Sequence, residues 1–343
     1  MGVTISGGDV VFDPRDLASA YGRDLPGITT AETPVIAPQT AEEHLLAHNL
    51  RNLGADTWTI NAAIQNLRNE QSDEALATAL RRRGVSDANL RRIMDALRLA
   101  RASHAPTILD LFPEIASARP GTIVNARQGG IQRSWGEVVE SRYSTRALAD
   151  GILLEIYSID PNYAIEAPTD ADLATPDTRS AYLNRLSAMR AAVHFREYGD
   201  VTLLQAETAL FLQARVDQAY AEAERLYGAR RLRVRLSRGE AVGNSMDRQV
   251  HRALPEFYAN LGVDLGGQVR VNQREYNRSD ETYRIPDARV GPTHIDWTIR
   301  RKGPRNKQIV GFFMSDSAPT LVLIFRPSQL GDNSSYAITR PRD

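Results

Sequence analysis

Apolar residues recur at helical spacing through most of the first two thirds of the chain. Between residues 41 and 102 they form short one-sided patterns that stop at Gly54 and Gly84, and glycine commonly follows the last turn of a helix. From residue 202 to about 227 the same spacing predicts one long helix, whose apolar face needs neighbouring helices to cover it. We therefore predict a mostly α-helical region over residues 41–230.

The pattern changes in the last third of the chain, where apolar and polar residues alternate with the period of a β-strand. The segment RRLRVRLSRGE predicts one strand, and the helix that follows it is expected to have Asn244 as its N-cap. Three strand patterns then come in succession, in GGQVRVNQREY, YRIPDARV and THIDWTIRRK. NKQIVGFFMSD predicts a short helix, and PTLVLIFRPS predicts a strand that is buried on both faces.

Together these patterns predict an α+β protein with three regions. Residues 1–40 are rich in Gly, Pro and Thr and are expected to be irregular. Residues 41–230 form the helical region, which is expected to serve delivery, recruitment or regulation. Residues 231–343 form an α/β domain, in which the order from Asn244 onward is helix, strand, strand, strand, helix, strand.

Composition narrows the possible chemistry. The chain has no cysteine, which excludes disulfides, thiolate zinc sites, iron–sulfur clusters and cysteine nucleophiles. No apolar run is long enough for a membrane span, and the first residues lack the pattern of a Sec signal peptide. Residues 231–343 carry 19 basic and 12 acidic side chains, against 23 and 30 over residues 1–230. This asymmetry indicates either a polyanionic partner for the basic part or two domains that attract each other.

The candidate chemistry centres on two aspartates on either side of a predicted turn. Asp287 lies four residues before Gly291, and Asp296 lies four residues after Pro292, so an antiparallel pair that turns there places the two carboxylates together. Neighbouring carboxylates repel unless a cation lies between them or one of them is protonated, and such oxygen ligands suit Mg²⁺ or Mn²⁺. In an extended strand, the side that carries Asp296 is polar throughout and comprises His294, Asp296, Thr298, Arg300 and Lys302.

These residues resemble the restriction-endonuclease-like nucleases of the PD-(D/E)xK superfamily, whose core has the same order of elements. The resemblance covers roughly residues 231–327. It implies that Pro286–Asp287 is the PD pair and that Asp296 is the second acid. It also implies that the backbone carbonyl of Trp297 adds a ligand to the metal.

The resemblance assigns further residues on the helices and leaves the lysine open. It implies Asp247 as the acid of the first helix and Gln308, with an aromatic residue four positions later, as the glutamine motif of the next helix. The lysine of the motif is expected two residues after the second acid, where this chain has Thr298. The chain's two lysines are Lys302, roughly 20 Å further along an extended strand, and Lys307 at the start of the next helix.

The resemblance implies a nuclease that uses Mg²⁺ or Mn²⁺ to hydrolyse phosphodiester bonds in DNA or RNA, with DNA favoured over RNA. The acids would hold the metal, and one of the lysines would position or activate the attacking water. Arg300, Arg301 and Arg305 would contact phosphates. A small C-terminal nuclease domain also resembles the effector part of bacterial secreted toxins. That likeness implies a neutralising immunity protein, synthesis in the bacterial cytoplasm and a Sec-independent route into a target cell.

Two other functions fit parts of the sequence. A non-catalytic interaction protein would use its basic domain to bind nucleic acid or an acidic partner without cutting it. An ADP-ribosyltransferase-like toxin is suggested by the arginines before Glu240, although no Ser-Thr-Ser or paired-glutamate motif accompanies them. Taken singly, the candidates also have structural interpretations, with Asp287 in a turn, Asp296 paired with an arginine, Asp247 capping its helix and His294 on the sheet surface.

Overall fold

A computed structural model of the chain describes residues 4–6, 9–11, 36–69, 72–128, 130–166, 168–232, 236–331 and 333–342. Within the segment predicted to be irregular, strands β1 (Thr4–Ser6) and β2 (Asp9–Val11) form a two-stranded antiparallel sheet. Most of the remaining residues of that segment lie outside the described part, so the prediction of irregular structure applies to residues that the structure does not describe.

Four helices form the beginning of the helical region: α1 (Ala41–Asn52), α2 (Thr57–Arg68), α3 (Asp73–Arg82) and α4 (Asp87–Ala102). Each begins after a polar side chain that accepts a hydrogen bond from a backbone N–H of the first turn, which stabilises the start of the helix. These N-caps are Thr40, Asp56, Ser72 and Ser86. The four helices share a buried core that includes Leu46, Leu50, Ile64, Leu80 and Leu97. The predicted helical bundle is therefore confirmed.

Six further helices follow: α5 (Ile108–Leu111), α6 (Arg142–Ile159), α7 (Pro176–Tyr198), α8 (Thr202–Gly228), α9 (Arg238–Asn260) and α10 (Lys307–Phe313). Short 3-10 helices span Pro113–Ser117, Gly136–Glu140 and Ser328–Leu330. The long helix α8 ends at the glycine that follows the predicted periodic stretch. None of the helices in the described part of the chain is both long enough and apolar enough to cross a membrane.

Helix α9 begins earlier than the sequence pattern predicts, so the prediction of Asn244 as its N-cap is wrong. The N-cap is Ser237, whose hydroxyl accepts from the backbone N–H of Glu240, while the Glu240 carboxylate accepts from the backbone N–H of Ser237 at 3.0 Å. This reciprocal pair satisfies two N–H groups of the first turn. The strand predicted over RRLRVRLSRGE does not extend to its end, since residues from Arg238 onward are helical, and residues 233–235 lie outside the described part.

Eight further strands are β3 (Ile123–Asn125), β4 (Val269–Val271), β5 (Glu275–Asn277), β6 (Thr282–Arg284), β7 (Ala288–Val290), β8 (Thr293–Trp297), β9 (Leu321–Phe325) and β10 (Tyr336–Thr339). Six of them form a mixed sheet in the order β3-β10-β9-β8-β7-β4. Strands β8 and β9 run parallel, and the other neighbours in this sheet run antiparallel. From α9 the chain runs through β4, β5, β6, β7, β8, α10 and β9, so the predicted order of helix, three strands, helix and strand holds only when β5 and β6, which form a separate sheet, are set aside.

The segment GGQVRVNQREY, predicted as one strand, contains two strands that belong to different sheets. Strand β4 pairs with β7, whereas β5 pairs with β6 in a separate hairpin. Asn272 lies between them with a φ of 50°, a left-handed conformation that breaks the extended run. The hairpin β5-β6 is therefore an insertion between β4 and β7.

The two sides of the mixed sheet are covered by different helices. On one side, β8 contributes Ile295 and Trp297 to a core shared with Met246, Val250 and Leu254 of α9. On the other side, Ile309 and Phe312 of α10 pack on Val322 and Ile324 of β9. Because α10 covers this second side, the structure does not place the predicted polar side of β8 in solvent.

His294 shows the effect of that cover. It is fully buried, its ring centroid lies 5.5 Å from that of Phe312, and its Nε2 lies 3.0 Å from the hydroxyl oxygen of Ser317. Burial, together with the positive charge of Arg289, lowers the pKa of His294 to about 3. His294 is thus a neutral core residue and not the sheet-surface histidine considered from the sequence.

The chain divides into two compact units, each built from several segments. One comprises Met1–His104, Trp135–Glu155 and Ala167–Ala181, and the other comprises Ala105–Ser134, Ile156–Glu166 and Tyr182–Asp343. The second unit contains the mixed sheet together with α8, α9 and α10. Its bounds do not coincide with the predicted division at residues 230 and 231, because β3 and α8 complete the sheet and its core.

Candidate functional site

Asp287 and Asp296 lie side by side at one end of the strand pair β7-β8. Ala288 pairs with Ile295, so the next position of the same antiparallel register brings Asp287 next to Asp296. The antiparallel pairing of β7 with β8, predicted from the Gly291 turn, is confirmed. Gly291 has a φ of 57°, and a Cβ at this position would lie 2.8 Å from Val201, so the turn requires a glycine.

The carboxylate of Asp287 is held between the sheet and helix α9. Its Oδ2 accepts a hydrogen bond of 2.8 Å from the backbone N–H of Trp297, and its Oδ1 lies 3.6 Å from Nε2 of His251. Burial, followed by the nearby charge of Asp296, raises the pKa of Asp287 to about 8. Burial and the neighbouring acid therefore disfavour a negative charge on Asp287.

Helix α9 contributes Asp247 and His251, which lie one turn apart and face the strand pair. Oδ1 of Asp247 accepts a hydrogen bond of 3.0 Å from the indole N–H of Trp297 and lies 3.3 Å from Nε2 of His251. The hydrogen bond to Asp247 raises the pKa of His251 against the effect of burial, and the charge of Asp287 adds to it. The interpretation of Asp247 as a helix cap is wrong, because α9 begins at Arg238.

Three of these residues form a group that could hold a cation. One ligand atom from each of Asp247, His251 and Asp287 lies within 4.8 Å of the others. The sequence predicts Asp247 and Asp287 as site residues but not His251. The signal was present, since His251 follows Asp247 by four residues and residues so spaced share one face of a helix.

Asp296 is paired with a lysine that the extended-strand prediction placed far away. Nζ of Lys302 lies 2.9 Å from Oδ1 and 2.7 Å from Oδ2 of Asp296. Gln308 joins both, since its Oε1 accepts from Lys302 at 2.7 Å and its Nε2 donates to Asp296 at 3.0 Å. Asp296 is buried, and burial raises its pKa while the charge of Lys302 opposes that rise.

Lys302 reaches Asp296 because the chain leaves the strand direction after Trp297. The hydroxyl of Tyr336 accepts a hydrogen bond from the backbone N–H of Lys302 and donates one to its carbonyl, both at 2.7 Å. The guanidinium of Arg326 donates to the carbonyl of Ile299 at 3.2 Å. These contacts fold the segment back, so the predicted separation of roughly 20 Å along an extended strand is wrong.

The other candidates of the motif lie outside this group. Thr298, at the position expected for the lysine, donates its backbone N–H to the carbonyl of Phe325 at 3.0 Å, and its hydroxyl accepts from the backbone N–H of Arg300 at 3.1 Å. Lys307 is exposed at the first turn of α10. The structure thus brings Lys302 and not Lys307 to the acids.

The arginines proposed to contact phosphates all lie at the surface near the Lys302 segment. Arg300, Arg301 and Arg305 are exposed. The guanidinium of Arg301 lies 5.7 Å from the ring centroid of Tyr336. Their exposure leaves all three guanidinium groups accessible to solvent and to an anionic ligand.

The arrangement combines hard oxygen ligands, one imidazole and one ammonium group in a partly buried site. Carboxylate oxygens suit Mg²⁺ and Mn²⁺, and an imidazole is a common ligand of Mn²⁺ and later transition metals. The contacts of Trp297 run through its backbone and indole N–H groups, which orient Asp287 and Asp247. Comparisons of the chain with protein-family models, with curated proteins and with solved structures find no match.

Proposed function

We propose that the chain is a metal-dependent nuclease that hydrolyses phosphodiester bonds in nucleic acid. The observation that carries this proposal is the contact of Lys302 with Asp296, on the strand that pairs with the strand following Asp287. The two acids adjoin across β7-β8, and the lysine contacts the second acid at 2.7 Å. This set corresponds to the two acids and the lysine of the PD-(D/E)xK motif, with the lysine supplied from a position four residues after Thr298.

The arrangement of the elements supports the same proposal. The order α9, β4, β7, β8, α10, β9 is the order of the restriction-endonuclease-like core. Within it, β4, β7 and β8 are antiparallel and β9 runs parallel to β8. In that core the acids lie on the second and third strands, as Asp287 and Asp296 do here at β7 and β8.

The donor set fits a divalent cation. The carboxyl group of Asp287 is crowded by Asp296 and Asp247, which is the condition that a cation relieves. Asp287 and Asp296 would hold Mg²⁺ or Mn²⁺, and Asp247 and His251 lie close enough to Asp287 to contribute. Such an ion, when bound, polarises a phosphoryl oxygen and lowers the pKa of a bound water.

The protein's own side chains would orient the attacking water and bind the substrate. Asp296 and Gln308 hold the ammonium of Lys302 in one place, where it can orient the attacking water and stabilise developing negative charge. The exposed Arg300, Arg301 and Arg305 would bind the phosphates on either side of the scissile bond. The excess of basic side chains over residues 231–343 would favour a polyanionic substrate.

The test is cleavage of plasmid DNA and of RNA by the purified chain, with Mg²⁺, with Mn²⁺ and with EDTA. We expect cleavage only with a divalent cation, and its loss in Asp287→Ala and in Asp296→Ala. Asp264→Ala is the matched control, since Asp264 is exposed in the same unit. Cation-dependent cleavage that survives Asp287→Ala would overturn the assignment.

The wider biological setting is also a proposal. A nuclease of this kind fits the effector part of a bacterial secreted toxin, with an immunity protein as its partner. The second candidate, a non-catalytic nucleic-acid-binding protein, draws support from the Lys302–Asp296–Gln308 group. In that group the three side chains form hydrogen bonds with one another, as they would in an ion pair with a purely structural role. Binding that survives the double neutralisation of Asp287 and Asp296, in a parent that never cleaves, would favour it.

A further inference from the structure

The hairpin β5-β6 is an insertion that leads directly into the candidate site. Strands Glu275–Asn277 and Thr282–Arg284 pair only with each other, with Tyr276 opposite Tyr283. Asp287 follows the end of the hairpin by three residues. The hairpin therefore lies close in sequence to Asp287, the first acid of the site.

The outer side of the hairpin, which carries Tyr276 and Tyr283, exposes two aromatic rings with a guanidinium beside them. The side chains of Tyr276 and Tyr283 are 53% and 42% exposed, and their ring centroids lie 6.1 Å apart. The guanidinium of Arg274 lies 4.5 Å from the ring centroid of Tyr283. Ile285, 41% exposed, lies in sequence between the hairpin and Asp287. Adjacent exposed rings of this kind mark an interaction surface more often than isolated ones do.

The inner side of the hairpin is fixed. Glu275 is buried and forms ion pairs with Arg270 and Arg289, at 3.5 and 3.2 Å. The carbonyl of Tyr276 accepts a hydrogen bond of 2.7 Å from the backbone N–H of Asp316. The exposed rings are thus presented by an anchored support, and not by a free loop.

Helix α10 connects the hairpin to the site. Arg284, at the end of β6, packs on Gly311 so closely that a Cβ at Gly311 would lie 2.4 Å from its Nε. Gly311 lies three residues after Gln308, which contacts both Lys302 and Asp296. The position of the hairpin is therefore set by the same helix that holds one of the residues beside the acids.

We propose that Arg274, Tyr276 and Tyr283 form a stacking platform that holds unpaired bases of a nucleic acid strand next to the site. Aromatic rings and a guanidinium stack on the faces of bases whatever their sequence, and the cation also attracts the phosphates. Double-stranded substrate offers no free base faces, so the platform selects single-stranded segments or ends. The identity of this ligand rests on the proposed nuclease function.

The proposal is tested by fluorescence anisotropy with short labelled oligonucleotides, single-stranded DNA, single-stranded RNA and the matching DNA duplex, in EDTA so that no cleavage intervenes. We expect the parent to bind single strands more tightly than duplex. The double variant Tyr276→Ala/Tyr283→Ala is expected to weaken single-strand binding by at least about tenfold. The double Phe variant is expected to keep it, because stacking needs the ring and not the hydroxyl.

Two controls separate stacking from a loss of folding. Tyr198→Ala removes an exposed tyrosine elsewhere in the same unit and is expected to bind as the parent does. Arg274→Gln leaves both rings in place and is expected to weaken binding in its own right, so it tests the platform even if the double Ala variant unfolds. Circular dichroism spectra establish which variants are folded.

The outcomes distinguish this proposal from the nuclease proposal. If the parent binds single strands but never cleaves, and the Ala variant loses binding, the platform stands and the nuclease assignment fails. If the parent cleaves but the folded Ala and Arg274→Gln variants bind and cleave like it, the platform is wrong and the nuclease assignment stands. A parent that binds only duplex, or no nucleic acid, also overturns the platform.

Discussion

The ammonium nitrogen of Lys302 lies 2.7 Å from Oδ2 of Asp296, although six residues separate the two along the chain. Both side chains are largely buried, and the lysine contacts both oxygens of the carboxylate. Lys307, the other lysine of the chain, is exposed on the following helix and takes no part in this contact. The two lysines are therefore a natural pair for testing where the cationic group of the site is.

The first prediction uses this pair. Lys302→Met removes the ammonium beside Asp296 while keeping an unbranched side chain, and we expect nuclease activity to fall by about 10²–10³-fold. Lys307→Met is expected to cleave at a rate near that of the parent. Initial rates of plasmid nicking with saturating Mg²⁺ measure both. A larger loss in Lys307→Met than in Lys302→Met would show that the lysine has been assigned to the wrong position.

The second prediction concerns the stability of the protein without metal. Burial and the neighbouring Asp296 make a charge on Asp287 unfavourable in the folded state. Asp287→Asn removes the cost of either charging or protonating this group in the folded state, so we expect its Tm in EDTA at pH 7 to exceed that of the parent by several degrees. Mg²⁺ should raise the Tm of the parent and have little effect on the variant.

Thermal unfolding followed by circular dichroism measures this effect, and Asp264→Asn is the control, since Asp264 is exposed. A variant that is less stable than the parent in EDTA would mean that the hydrogen bond from Trp297 to Asp287 outweighs the crowding of the acids.

The third prediction tests the two hydrogen bonds between the Tyr336 hydroxyl and the Lys302 backbone, which bend the chain toward the acids. Tyr336→Phe removes the hydroxyl that joins the backbone N–H and carbonyl of Lys302, while its buried ring remains. Losing two such hydrogen bonds costs about 1–2 kcal/mol, and we expect the lysine to sample positions away from Asp296. Activity should fall by about tenfold, which is the equivalent of that loss.

The measurement for Tyr336→Phe compares kcat with KM. If the Tyr336 hydroxyl only positions Lys302, its loss lowers kcat and leaves KM nearly unchanged. The Tyr336→Phe/Lys302→Met double variant is then no slower than Lys302→Met alone. Additive losses in the double variant would mean that Tyr336 acts independently of the lysine.

The fourth prediction concerns the turn that brings the two acids together. Gly291→Ala places a Cβ where φ is 57° and only 2.8 Å from Val201, so it adds a steric clash to backbone strain. We expect a loss of about 2–4 kcal/mol in the free energy of unfolding. Gly267→Ala has a similar φ of 50° with nothing within 4 Å, and its loss should be about 1 kcal/mol. Urea denaturation measures both, and equal losses would rule out the clash.

The fifth prediction is a pH dependence in the other unit. Burial acts to raise the pKa of Glu42, but hydrogen bonds, the first of them from His104 at 2.9 Å, outweigh it and lower the pKa to about 2. A lowered folded-state pKa stabilises the protein above the unfolded value near 4.5 and ceases to do so as pH falls through about 2.

The parent should therefore exceed Glu42→Gln in stability by up to about 3 kcal/mol above pH 5, and this difference should vanish toward pH 2. Denaturant titrations at a series of pH values measure it. Glu74→Gln, which changes an exposed glutamate of α3, should show no such trend. A difference that grows with acidity would contradict the direction of the Glu42 shift.

Some of this arrangement could be predicted from the chain because it depends on neighbours in sequence. A short Gly-Pro connection favours an antiparallel pairing of β7 with β8. The alternation of side chains along the strands then determines which residues face each other. The N-caps of α1 to α4 can also be predicted, because a Ser, Thr or Asp directly precedes each helix in the sequence. Asp287 beside Asp296 is therefore a local result.

The position of Lys302 could not be predicted in this way, because residues distant in sequence determine it. The bend after Trp297 depends on hydrogen bonds with Tyr336 and Arg326. Tyr336 belongs to strand β10 and Arg326 directly follows strand β9, so both are distant in sequence from Trp297. His251 was missed for a different reason. Its helical spacing from Asp247 was visible, but its approach to Asp287 depends on how α9 packs against the sheet.

The contrast between the two lysines has a practical consequence for chemical labelling. Lys302 is largely buried and held by Asp296 and Gln308, whereas Lys307 is exposed one residue before Gln308. An amine-reactive dye will therefore attach to one side chain of this protein, and that side chain is on the helix that borders the acids. A fluorophore there would test the proposed binding of metal and nucleic acid without any engineered cysteine.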